Sequence, residues 1–325
     1  MSGLGAARPA GGARPGKGDA PRVVAIGGGH GLARSLGAAR RFAGSVAAVV
    51  SVADDGGSSG RLRAQLEIPA PGDLRRAIGA LVGEESALSR ALEHRFSSGE
   101  LEGHAFGNLL LAALFAGAGD FAAGVAEACR LLGTVGPVYP ATLEPVVLRA
   151  DARGATVRGQ VAVMATAAIE RVGIEPASAR TPAGALAAVA AADLVVLGPG
   201  SLYTSVLAAL GAPELAAALR ASGARVVYVA NLREQPPETS GYDVAAHVAA
   251  LIAHGIRPDV VLADPAKIAL GRVDSGVELV AGALAARNGL VHDEDLLAAA
   301  LAALADAPRA GAQPRRRSDA RARLA

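Results

Sequence analysis

The chain has 325 residues, is 51% hydrophobic but only 3% aromatic, and carries a formal net charge of +2. Its core must therefore be built from Ala, Val, Leu and Ile, which suits helices packed on a buried parallel sheet, and so small a positive excess does not mark a nucleic-acid binder. The single cysteine, Cys129, excludes an internal disulfide and fits a reducing compartment.

Residues 1–20 are rich in Gly, Pro and Arg and have no apolar stretch, which predicts a disordered leader and not a signal peptide. Arg22–Ile26 predicts a strand, Gly27–Gly31 a loop, and Leu32 to about Phe42 a helix. Val46–Val52 predicts a second strand, which runs into Asp54-Asp55-Gly56-Gly57-Ser58-Ser59-Gly60-Arg61. After the turn at Pro69–Gly72, Asp73 is placed as the N-cap of a helix from Leu74 to about Val82. Helical stretches at about Ser86–Phe96, Phe106–Ala116 and Phe121–Leu132 form an all-helical section, with Cys129 expected as a small buried hydrophobe. Val146–Arg149 and Thr156–Val163, around Asp151–Gly154, read as an antiparallel hairpin at an edge or in a small subdomain. A helix over Pro182–Ala192 precedes the strand Leu194–Leu197, which ends in Gly198-Pro199-Gly200-Ser201. Strands at Val226–Ala230 and Val260–Ala263 end in Asn231-Leu232 and Asp264-Pro265. A helix near Asp293–Ala305, with Asp293 as a candidate N-cap, closes the ordered region.

Pro308–Ala325 is Arg-rich and reads as a disordered, solvated tail. The expected unit is a single α/β domain over 21–307. It is Rossmann-like and doubly wound, with a mostly parallel sheet, a helical insertion and a small antiparallel hairpin. No uncharged apolar run reaches the roughly 18 residues of a membrane span, so no membrane insertion is expected.

Chemistry is carried by the loops at the strand ends. Gly27, Gly28, Gly29, His30 and Gly31 join a strand to a helix, where glycines let a phosphate approach the backbone and helix amides favour negative charge. The spacing is neither a true G-x-G-x-x-G, since Leu32 occupies the last position, nor a P-loop. In the second loop, Asp54 or Asp55 can bind a metal ion or a ribose. Gly56, Gly57, Ser58 and Ser59 can form an anion nest, and Arg61 can clamp a phosphate. In the third, amides near Gly198, Gly200, Ser201 and Leu202, with the hydroxyls of Ser201, Thr204 and Ser205, offer a second anion site. Asn231, with Gln235, Glu238 and Thr239, suits recognition of a base or sugar. His104 and Asn108 stand four residues apart at a helix start. In an open parallel sheet these loops share one edge, where ligands bind.

The runs Ile26–Leu32, Val52–Arg63, Pro71–Asp73, His104–Leu110 and Gly198–Ser205, and Asn231-Leu232 with Gln235-Pro236 and Glu238-Thr239, resemble the gluconeogenesis factor family called YvcK, over roughly Arg22 to Ala305. That family shares a superfamily with the phospholactate transferase CofD. The resemblance implies a Rossmann-like fold and a cytoplasmic bacterial protein that binds a nucleotide-sugar such as UDP-N-acetylglucosamine. It further implies roles in cell shape, cell-wall synthesis and growth on gluconeogenic carbon sources, with wall-synthesis proteins as partners and a homo-oligomeric state. No catalytic residue is assigned and no cofactor is required. A CofD-like transferase using Mg²⁺ held by Asp54 and Asp55 is the alternative. The sequence departs from the family pattern at His30, Ala105, Arg233, Glu234, Pro237 and Ser240. These changes bear on the ligand more than on the fold.

Overall fold

The structure is a computed structural model and describes residues 20–307. The tail, and all but the last residue of the leader, lie outside that range.

The first half-unit follows the sequence closely. Strand β1 (Arg22–Gly27), helix α1 (Gly29–Ala39) and strand β2 (Ser45–Val50) form a parallel β-α-β unit. Both strands are aliphatic and buried along all but their first residue, as expected of strands covered on both faces. Helices α2 (Gly57–Leu66), α3 (Gly72–Leu81), α4 (Ala87–Ala91), α5 (Phe106–Ala118) and α6 (Phe121–Leu131) lead to the three-residue strand β3 (Val138–Pro140) beside β2. Cys129 is buried on α6.

An antiparallel insertion follows: β4 (Val147–Ala152), β5 (Ala155–Arg158), the short helix α7 (Gln160–Met164) and β6 (Ile169–Glu175). The β4–β5 turn places Arg153 and Gly154 both at positive φ, the conformation of a two-residue hairpin loop. The chain returns through α8 (Ala183–Ala191) to β7 (Leu194–Leu197). A π-helical turn at Leu202–Val206 leads directly into α9 (Leu207–Leu210). Helix α10 (Pro213–Ala221), β8 (Arg225–Val229), α11 (Val244–Ala253), β9 (Val260–Ala263), β10 (Glu278–Ala281) and α12 (Glu294–Asp306) complete the fold.

The seven-stranded sheet has the order β10-β9-β8-β7-β1-β2-β3 and every pair in it is parallel. The order reverses at β1. The crevice between the C-terminal ends of β1 and β7 is therefore the topological switch point. Among the described residues no single helix is long and apolar enough to cross a membrane.

Several expectations need correction. The helix over Ser86–Phe96 shrinks to Ala87–Ala91, capped by Ser86, and none of its residues is buried. A helix so short, with no face packed on the core, gains little from tertiary contact. Thr156–Val163 is not one strand. Gly159, at φ +97°, ends β5 and turns the chain into α7, and the missing third strand is β6. Asp73 is not an N-cap: Pro71 holds that position and Asp73 lies in the first turn of α3. Strands β3 and β10, of three and four residues, were not anticipated, nor were α10 and α11.

Candidate functional site

The two glycine loops meet at the switch point. Gly29 sits at φ +68°, a conformation that L side chains rarely adopt, and lets the chain enter α1 directly. Gly31 is required for a different reason. A Cβ there would stand 2.6 Å from the carbonyl carbon of Pro199 and 3.0 Å from the amide nitrogen of Gly200. The first turn of α1 therefore lies against the loop after β7. Ser35 on α1 reinforces the contact by donating its hydroxyl to the Gly198 carbonyl at 2.5 Å. No side chain caps the N-terminus of α1, where Gly28 is the N-cap.

Asp73 lies behind this turn. It is buried, accepts the Gly29 amide and receives Arg76 Nη1 at 2.7 Å. Burial pushes its carboxyl up to about 6. The neighbouring Asp54 adds to that push, while Arg76 and the Gly29 amide oppose it. A buried carboxyl with a raised pKa, beside a second carboxylate, is an unusual group at a strand-end crevice.

The acidic loop is divided between two tasks. Asp54 Oδ1 accepts the Gly56 amide at 2.9 Å. Asp55 faces the insertion, where its two oxygens accept the amides of Gln160 at 3.0 Å and Val161 at 2.9 Å. Ser58 is a buried hub: its hydroxyl accepts Nδ2 of Asn108 and hydrogen-bonds Nδ1 of His104, both at 3.1 Å. The His104/Asn108 pair thus converges on one point, and that point is Ser58. Ser59 is buried beside it. Arg61 is exposed and donates to the Glu102 carbonyl at 2.8 Å. Arg63, which the sequence did not single out, is half-buried beside Asp54 and Asp55. Burial lowers its pKa against the pull of those two acids.

The third loop is held by acceptors from the loop after β8. Gly200 donates its amide to Asn231 Oδ1 at 3.1 Å, and Asn231 Nδ2 donates to Gln235 Oε1 at 2.9 Å. Buried Glu238 accepts the amides of Tyr203 at 2.8 Å and Thr204 at 3.2 Å, with the Thr204 hydroxyl at 3.2 Å. Burial pushes the Glu238 pKa up, and these donors oppose the shift. Thr204 is therefore engaged inside the protein. Leu202 is buried. Ser205, also buried, has its Cβ 3.6 Å from where a side chain on Gly28 or Gly200 would begin.

Two cavities flank His30. One, of about 330 Å³, is lined by Gly31, Gly200, Asn231, Gln235 and His292. The other, of about 750 Å³, is lined by Arg34, Arg41, Arg76, Ser89 and Glu93. Burial, then the cationic Arg76, lowers the His30 pKa, which favours the neutral ring. His292 is buried with no hydrogen-bond partner at Nε2, and burial holds its pKa down to about 4. A larger cavity, about 860 Å³, lies at the opposite end of β8 and β9 and touches none of these loops. Among the described residues no group of three or more His, Cys, Asp or Glu gathers as a metal site. Asp54 lies near enough to Asp73 to raise its pKa, while both oxygens of Asp55 accept amides of the insertion.

Residues 23–288 match the family model described as 2-phospho-L-lactate transferase CofD. The chain belongs to the CofD family. Within it, the chain is 42% identical over 246 residues to a gluconeogenesis factor of Halalkalibacterium halodurans, covering 74% of this chain and 76% of that one. It is 46% identical over 253 residues to a putative gluconeogenesis factor of Deinococcus radiodurans. That match takes in 76% of this chain but spans only 54% of the longer relative. Among solved structures, a crystal structure of a UPF0052 family protein from Bacillus halodurans superposes with a TM-score of 0.80 at 35% identity. It covers 87% of this chain and 99% of that one. Of the residues expected to depart from the family pattern, His30 and Arg233 both line the smaller cavity. Glu234 stays within its own loop and accepts the Gly241 amide.

Proposed function

We propose that this CofD-family chain is a binding factor for a nucleotide-sugar of the UDP-N-acetylglucosamine class. It works in the cytoplasm, in cell-shape and cell-wall regulation and in growth on gluconeogenic carbon. The observation that carries the reading is the contact between the Gly27–Gly31 and Gly198–Ser205 loops at the switch point, beside a cavity lined by Asn231 and Gln235. Glycine backbones suit the phosphates, and the amide side chains suit the base or sugar. The name gluconeogenesis factor borne by its relatives supports the physiological half of the reading. Self-association and contact with wall-synthesis proteins belong to the same proposal. Calorimetry with UDP-N-acetylglucosamine tests it: saturable binding is expected. No heat and no thermal shift at millimolar ligand would overturn it.

A second reading has one specific observation in its favour: two carboxylates, Asp54 and Asp73, lie close enough for one to raise the pKa of the other. A Mg²⁺ ion typically takes one or two carboxylates plus substrate phosphates, and Asp54 suits such an ion. Bound there, it would supply charge neutralisation to a phospho-group transfer. Asp54 would hold the ion, and Asp73 would position the Gly29 turn. Turnover of a deazaflavin acceptor, abolished by Asp54→Asn, is the expected result under this reading. Binding of the nucleotide-sugar without turnover decides for the first.

A further inference from the structure

We propose that Gln160 is a positioning residue that staples together the two loops flanking the glycine turn, and so sets the span of the crevice for a diphosphate. This rests on the nucleotide-sugar reading for its ligand but not for its geometry. In the sheet β1 lies between β2 and β7. The loops after β2 and β7 therefore stand on either side of Gly27–Gly31, about two strand spacings, or roughly 10 Å, apart. Gln160 is bonded to both. Its amide N–H donates to Asp55 Oδ2 in the loop after β2, at 3.0 Å, and its side-chain Nε2 donates to the Thr204 carbonyl in the loop after β7, at 2.9 Å.

The chain is arranged so that this bridge can form. Gly159 is at φ +97°, and a Cβ on it would stand 2.5 Å from the Asp55 carboxylate. A side chain there would push the staple away from its first anchor. Thr204, the second anchor, is itself held by Glu238 through its amide and hydroxyl. The insertion carrying Gln160 is fixed at its far end as well. Tyr203 donates its hydroxyl to the Ile169 carbonyl at 3.2 Å, and the Val172 amide donates to His254 Nε2 at 2.9 Å. With both anchors and its own support fixed, Gln160 cannot drift with either loop. The diphosphate is placed across both loops, so that a ligand with a single phosphate engages only one of them.

Gln160→Met keeps the length of the side chain and removes its donor. The affinity for UDP-N-acetylglucosamine is expected to fall about tenfold, equivalent to about 1.4 kcal/mol for one lost hydrogen bond. The affinity for UMP is expected to fall less than about twofold on the same scale, and the melting temperature should hold. An equal loss for both ligands, or no loss for either, overturns the staple. Hydrogen exchange on the unliganded protein tests the geometry separately. The variant should exchange faster at both 54–61 and 201–206, and a change confined to 159–165 overturns it. Wild-type protein that binds neither nucleotide would sink the functional reading, leaving the exchange result to decide the staple.

Discussion

Replacing Gly31 by Ala sets two effects of opposite sign against each other. Ala in a helix is favoured over Gly by about 1 kcal/mol, and Gly31 is inside α1 with an ordinary helical φ. Against that, the new methyl would stand 2.6 Å from the Pro199 carbonyl carbon and 3.0 Å from Gly200 N. The obstacle is backbone, so no rotamer change relieves it. The Gly198 end of that loop is also tied to Ser35, and Gly200 to Asn231. Overpacking of this kind costs about 1–3 kcal/mol, and a clash with tied backbone belongs at the upper end. The net expectation is a loss of about 1–2 kcal/mol. Urea unfolding measures this, and calorimetry should show nucleotide-sugar affinity falling further, because the two loops are driven apart. Gly29→Ala is the control. Nothing lies within 4 Å of its would-be Cβ, so only the left-handed backbone is penalised, at about 1–2 kcal/mol. A Gly31→Ala protein as stable as wild type, with unchanged affinity, would show that the loops are not packed as described.

Further expectations concern charge. His292 has its pKa lowered to about 4 by burial, against about 6.5 in the unfolded chain. As pH falls through 6.5 the unfolded state takes up a proton and the folded state does not, so stability is lost, by about 2 kcal/mol at pH 5. Asp73 works in the opposite sense. Its folded pKa near 6 exceeds the unfolded value, so its penalty lessens as pH falls from 6 towards 3.8. His292→Gln should therefore remove a destabilisation between pH 7.5 and 5 that wild type retains, as read by urea unfolding at both pH values. Equal pH dependence in the two proteins would count against the buried neutral ring. Glu238→Ala leaves the Tyr203 and Thr204 amides without their acceptor and should cost about 2–3 kcal/mol in thermal or urea unfolding, on the scale of orphaned buried donors. Arg61→Ala should leave ligand affinity within about twofold while Arg63→Ala weakens it by tenfold or more, on the scale of a charged hydrogen bond. The reverse order in calorimetry would favour Arg61, the clamp expected from the sequence, over the half-buried Arg63.

How much was legible in the sequence follows from physical range. Strands such as Leu194–Leu197 and Val260–Ala263 are uninterrupted aliphatic runs between turn residues, so periodicity finds them to the residue. The edge strands β3 and β10 carry no such signal, since they owe their existence to the strand beside them. The helix expected at Ser86–Phe96 failed because propensity without burial is not enough. At the site, the loops were readable because glycine, aspartate and serine are turn chemistry. The division of labour within them was not. That Asp55 serves Gln160, that Arg61 reaches Glu102 and that Glu238 grips Thr204 are contacts between segments 34 to 105 residues apart. No local pattern encodes them.

Strand β1 is the first of the described strands in chain order and lies inside the sheet, with β7 as its neighbour on one side. At a synthesis rate of about 5–20 residues per second, β7 leaves the ribosome roughly 10–30 s after β1. Throughout that interval one flank of this buried strand lacks its β7 partner, and the glycine turn has nothing to lean on. The nascent chain thus carries an open apolar edge until β7 emerges. The crevice between the two loops cannot form until Gly198–Ser205 arrives.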